Sequence, residues 1–222
     1  MLLCQMIFSK QINRTHQWPF VAMLFFAVAL IGCRSAYDDL QPTGGQTMCI
    51  RKFKPAFRAD WYTTSVDVYG HHISGLLLFK VMPDSAVRVV FTNEVGVTFF
   101  DFEFAKGGGF KVHQINAQLD KKIVINLLRE DFEMLMMRRL GDKPLRIFKR
   151  NDELFNASPG KKETDYFITD KDCASLLRIE KASKRKKMVE VKLVETPGNA
   201  PDSVSLQHFT FNMQIALKKL QR

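Results

Sequence analysis

The alternation of apolar and polar side chains between Phe57 and Ile115 restricts the fold of this chain more than any other feature. Phe57, Ala59, Trp61 and Thr63 alternate with Arg58, Asp60 and Tyr62, and Val87, Val89 and Phe91 repeat the pattern. Phe100, Phe102 and Phe104 then share one parity, opposite Asp101 and Glu103. Successive strand side chains point to opposite faces, so a period of two predicts half-buried strands. Ile73–Val81 (ISGLLLFKV) is apolar almost throughout. Met82-Pro83-Asp84-Ser85, Asn93-Glu94-Val95-Gly96 and Lys106-Gly107-Gly108-Gly109 supply the reversals. The expected arrangement is an antiparallel meander.

The period changes at Asn116. Leu119, Ile123, Leu127, Leu128, Phe132, Leu135 and Met136 recur at helical spacing, which predicts one long helix or two short ones across 117–139. Asn116 or Asp120 would cap its start, and Gly141 and Pro144 would close it. The Met cluster at its end (Met134, Met136, Met137) reads as adaptable core filler. Strands resume at 145–149, 153–157, 164–169, 175–181, 187–195 and 203–218. In the last run Val204, Leu206 and His208 share one parity, while Phe209, Phe211, Met213, Ile215 and Leu217 share the other. That switch predicts a bulge or bend near Gln207–Phe209. The fold class is α+β: one large curved antiparallel sheet with a helical insert, whose Phe-rich inner face must be covered by a helix or by ligand.

Ahead of the sheet, Trp18–Cys33 (WPFVAMLFFAVALIGC) carries no charge, and Lys10 and Arg14 precede it without any acidic residue. A basic n-region, a short apolar core and small residues at a cut site make a secretory signal. The run is shorter than the roughly 20 apolar residues of a spanning helix. Leu30-Ile31-Gly32-Cys33 resembles a bacterial lipobox, which implies acylation of Cys33 and a mature chain beginning there. A plain cleaved signal or an uncleaved anchor is the alternative. Residues 1–32 are then the signal peptide, 33–50 a flexible tether with Pro42, Gly44 and Gly45, and 51–222 a single domain. Asp38 and Asp39 resemble the surface-export signal of some Gram-negative lipoproteins, or are simply solvated.

After removal of 1–32, 31 basic and 23 acidic side chains remain, a net +8. For an exported protein this charge points to lipid head groups and surface polyanions rather than nucleic acid. Cys49 and Cys173 are the remaining thiols, with two outcomes open: a bridge from the N-terminal segment to the C-terminal half, or two buried thiols.

The phrase ISGLLLFKVMPDSAVRVVFTNEVGVTFFDFEF, the mid-chain helix and the final run SVSLQHFTFNMQIAL, behind a lipobox, resemble the LolA/LolB-like group. Within it, an uncharacterised family of envelope lipoproteins is closer still. The resemblance covers most of 57–220. It implies an incomplete barrel plugged by helices, holding lipid acyl chains in an apolar hollow.

No enzyme signature is present: there is no Gly-x-Ser-x-Gly, dinucleotide or phosphate-loop pattern, and no cofactor or metal is expected. His71 and His72 are adjacent and point apart, and His113 and His208 read as structural. Asp101 and Glu103, about 7 Å apart on one strand face, are spaced for acid/base work but read better as a solvated face. The candidate ligand-binding residues are therefore Phe79, Val89, Phe91, Phe100, Phe102, Phe209, Phe211 and Ile215, lining a hollow or a filled core. The run Lys181–Lys187 (KASKRKK) reads as a hairpin tip, solvated or facing a membrane through Lys181, Lys184, Arg185, Lys186 and Lys187. The expected role is an envelope-located, outer-membrane lipoprotein, on the periplasmic or surface side, palmitate-bearing at Cys33, binding or transferring a lipid or lipidated partner. The alternative is a structural or interaction module whose partners are envelope proteins.

Overall fold

The computed structural model describes residues 35–44, 49–141, 144–194 and 198–221. Residues 1–32, expected to form a signal peptide, and Cys33, expected to be acylated, lie outside them. Thirteen strands form one antiparallel sheet: β1 (Gln41–Pro42), β2 (Ala59–Val68), β3 (His71–Val81), β4 (Val87–Thr92), β5 (Thr98–Phe104), β6 (Phe110–Ile115), β7 (Arg146–Arg150), β8 (Glu153–Pro159), β9 (Thr164–Asp170), β10 (Leu176–Ala182), β11 (Lys187–Val194), β12 (Ser203–His208) and β13 (Met213–Lys219). Their order is β1-β7-β8-β9-β10-β11-β12-β13-β2-β3-β4-β5-β6, so the sheet is curved but not closed. Among the described residues, one α-helix, α1 (Lys122–Leu135), and a short 3-10 helix (Cys49–Phe53) accompany the sheet. No described helix is long and apolar enough to cross a membrane.

Two glycines set the meander's geometry. Tyr69-Gly70 closes the β2–β3 hairpin with φ of 48° and 81° directly after the Val68↔His71 pair, the conformation that a two-residue turn of this twist needs. At Gly75 the β4 backbone comes so close that a Cβ would stand 2.1 Å from the Thr92 carbonyl oxygen.

The inner face is built as the alternation predicts. Phe79, Val89, Phe91, Phe100, Phe102 and Phe104 are buried, and α1 lies on them through Leu128, Phe132 and Leu135. The helix stops at Leu135 by a Schellman motif. Met137, at φ 51°, donates to the Met134 carbonyl, and Arg138 donates to that of Glu133. All three methionines of the cluster are buried in the core. A disulfide joins Cys49 to Cys173, 124 residues away, with 6.4 Å between Cα atoms.

Four sequence expectations change. The helix is shorter than 117–139: Asn116 accepts from Gln118, and the cap position Lys121 has no side-chain bond. The run 203–218 is two strands, and its parity switch is the turn 209–212 of the β12–β13 hairpin, closed by the His208↔Met213 pair. On β2 the inward parity is reversed: Tyr62 and Thr64 are buried, whereas Ala59 and Thr63 are exposed. Tyr62 meets Phe79 edge-on at 5.7 Å and donates its hydroxyl to the Pro201 carbonyl at 2.8 Å. Residues 35–44, read as part of a free tether, lie on the sheet. Strand β1 pairs with β7, and Tyr37 stacks on Tyr166 at 4.7 Å. Asp39 pairs with Arg150 at 3.1 Å.

Candidate functional site

The concave face is the candidate site, and its floor comes from β3, β4 and β5. Phe132 of α1 sits at its centre, with ring centroids 5.9 Å from Phe79, 5.7 Å from Phe100 and 6.3 Å from Phe104. Phe100 stacks on Phe102 at 4.6 Å. Five nominated residues, Phe79, Val89, Phe91, Phe100 and Phe102, meet here, all at most 5% exposed. In this state the helix fills the concavity. Two surface recesses border β1–β7 and β2–β13, and neither is lined by these rings.

Three nominees stand elsewhere. Ile215 is half-buried at the core's margin, and Phe211 stacks against Tyr69 at 6.0 Å. Phe209, expected inward, is 45% exposed because the turn 209–212 interrupts the supposed strand. The inward positions of β13 are Met213, Ile215 and Leu217, paired with His208, Leu206 and Val204.

The opposite flank of α1 is held by ionisable groups. His208 Nε2 lies 3.0 Å from Asp131 Oδ2, both side chains buried. The other Asp131 oxygen, Oδ1, has no hydrogen-bond partner among the described residues. Burial pushes the Asp131 carboxyl above the usual range, against the bond and charge of His208 and the charge of Lys181. Next to it, Lys181 Nζ reaches Glu130 at 2.7 Å. Lys181, expected at a hairpin tip, is therefore a buried member of β10 facing the helix. Beyond them, Arg139 lies 3.4 Å from Asp165, whose carboxyl burial also raises. This arrangement left one signal in the sequence: Asp131 falls within the apolar stripe of Leu128, Phe132 and Leu135, where a carboxylate needs a buried partner.

The outer face of β8–β10 holds a second charged group. Arg178 forks onto Glu153 at 2.6 and 2.8 Å and reaches Glu180 at 2.7 Å. Glu180 also accepts from the Tyr37 hydroxyl at 2.7 Å. The Arg178 fork holds the Glu153 carboxyl low, against its partial burial. Burial, then the bond to Glu180, raises the Tyr37 hydroxyl.

Asp101 and Glu103 are half-buried rather than freely solvated. Arg88 bonds Asp101, with Nε at 2.9 Å, and His113 meets Glu103 at 2.8 Å. The basic turn itself is Ser183–Lys186, with Lys184, Arg185 and Lys186 exposed. Lys187 is drawn onto Glu190 at 2.6 Å and over the Phe209 ring at 4.4 Å.

No family model and no curated protein matches the sequence. Among solved structures, a LolA superfamily protein from Nitrosomonas europaea superposes with a TM-score of 0.50 at 7% identity, over 81% of this chain and 93% of that one. A DUF1329 family protein from Desulfovibrio piger gives 0.42 at 9% identity, over 78% and 89%. A domain assigned to outer membrane lipoprotein sorting, from Vibrio parahaemolyticus, gives 0.42 at 8%, over 78% and 87%. The fold is LolA-like.

Proposed function

We propose that this chain is a non-enzymatic envelope lipoprotein, anchored through Cys33, whose concave face takes the acyl chain of a lipid or lipidated partner when α1 yields its place. The observation that carries the reading is the composition of that face. An aromatic floor is covered by one helix, which is fastened along its other flank by ionisable groups. In the LolA/LolB-like group, which the sequence resembles, this face holds acyl chains. Burying such a chain contributes about 0.8 kcal/mol per CH₂, so no polar partner is required. The Cys49–Cys173 bond supports an oxidising compartment.

The test is native mass spectrometry and lipid extraction of the full chain purified from membranes, beside Cys33→Ala. A non-covalent lipid is expected, together with an acyl adduct on Cys33 that the variant lacks. A preparation free of bound lipid would sink the acyl-binding reading. The near-complete burial of Phe79, Val89 and Phe102, each 0% exposed, favours a second reading: a filled interaction module of the envelope. Capture of a stable envelope protein by the lipid-free chain would support that one.

A further inference from the structure

We propose that one end of the sheet is a docking surface for anionic lipid head groups. Antiparallel strands return alternate turns to the same end. The pairs Pro159↔Thr164, Ala182↔Lys187, His208↔Met213, Val68↔His71 and Thr92↔Thr98 therefore place five successive turns along one rim. These turns carry Lys161, Lys162, Lys184, Arg185 and Lys186 against Glu94 and Glu163. The four fully described turns at the other end (82–86, 105–109, 151–152, 171–175) carry Lys106 and Lys171 against Asp84, Asp152 and Asp172. The segment 51–58 adds exposed Arg51, Lys52, Lys54 and Arg58 at that other end, so the first rim is set apart by charge carried in its turns beside exposed rings and not by a larger total.

The exposed aromatic rings lie at the basic rim; at the other end the exposed apolar side chains are aliphatic, Val81, Val194 and Leu220. Tyr69, Val95 and Phe209 project from the basic rim, 69%, 83% and 45% exposed, and no large exposed apolar side chain falls in the four opposite turns. Two of the basic rim's turns are joined directly, the Tyr69 amide donating to the Asn212 carbonyl at 3.1 Å. Aromatic rings beside ammonium and guanidinium groups match a head-group layer, which is apolar beneath and anionic at its surface. Each lysine or arginine contributes about a five-fold gain in affinity near such a surface. Lys184, Arg185 and Lys186 form no ion pair among the described residues, so their charge is available to it.

The start of the domain lies at this rim as well. Ala36 donates its amide to the Arg185 carbonyl at 3.0 Å. Cys33 is three residues before Ala36, at most about 11 Å of extended chain. For this orientation the inference rests on acylation of Cys33; the basic turns and their exposed rings stand without it. Anchored so, the basic rim faces the bilayer.

The experiment is amide hydrogen exchange of the full chain on phosphatidylcholine vesicles, with and without phosphatidylglycerol, with the mass of Cys33 read in the same preparation. Amides of 184–186 and 210–212 are expected to exchange about ten-fold more slowly on the anionic vesicles, the difference fading at high salt. The triple variant Lys184→Glu, Arg185→Glu, Lys186→Glu should lose that difference while unfolding at the wild-type temperature. Equal exchange on both vesicles with Cys33 acylated overturns the docking surface and leaves the tether. Slowing on anionic vesicles with Cys33 unmodified keeps the surface and removes the tether. Slowing only in native membranes, absent from pure lipid, assigns the rim to a protein partner and overturns the proposal.

Discussion

Helix α1 has two unlike flanks. Toward β3–β5 it offers Phe132 to a floor of Phe79, Phe100 and Phe104; toward β10–β12 it offers Glu130 and Asp131 to Lys181 and His208. The first contact is non-directional and scales with the apolar area removed from water. The second depends on protonation and on a few ångströms of geometry, because a carboxylate left alone in a low dielectric is costly. A helix held by grease on both sides would be a permanent part of the core. Fastened by charge on one side, it has a flank that pH or a competing polar group can loosen.

Cutting the aromatic contact should have the largest effect. Phe132→Ala is expected to cost about 3–5 kcal/mol by denaturant titration, nearly independent of pH and salt. Breaking the opposite flank comes next. His208→Ala leaves Asp131 buried without its partner and should cost about 3 kcal/mol at neutral pH. Here the pH dependence separates the two flanks. The Asp131 carboxyl is raised in the folded state, so the folded chain holds that proton more tightly than the unfolded one. Its stabilising contribution is fully present below the ordinary carboxylate range and is lost as pH rises through the folded value. Asp131→Asn should therefore gain on the wild type as pH climbs from about 4 toward neutrality, in a series of unfolding curves. A flat difference would remove Asp131 as the source of that dependence.

Smaller effects test the frame around this contrast. Gly75→Ala should cost about 1–3 kcal/mol, since its Cβ must displace the Thr92 backbone on the aromatic side. Tyr37→Phe removes one donor from Glu180 on the charged side, and about 1 kcal/mol is expected in thermal unfolding.

The same contrast explains what could be read from sequence. The aromatic floor was legible because Phe100, Phe102 and Phe104 share a parity, and a strand's pleat converts parity directly into a face. The charged flank was not, because its partners are distant in sequence: Asp131 and His208 are 77 residues apart, Glu130 and Lys181 51. KASKRKK looks like one solvated run, yet alternation turns Lys181 inward while Lys184–Lys186 remain in the turn. Tyr62 misled for a related reason, its ring buried and its hydroxyl satisfied by a backbone carbonyl 139 residues later. The end of α1 was hidden because Met137, rather than a glycine, takes the left-handed position that stops it. Nothing in the sequence distinguishes a floor awaiting a ligand from a floor already covered.

An open sheet has two margins, each a row of backbone groups able to recruit another strand. At one margin the chain uses its own beginning. Gln41 and Pro42 lie along β7, and Thr43 donates to the Ile147 carbonyl at 3.0 Å. A strand two residues long that ends in proline gives a newcomer little to add to, since proline brings no donor. At the other margin β6 turns Lys111 and His113 to solvent, side chains that discourage a growing stack. These two hems let an open sheet stand by itself without becoming the first rung of a fibre.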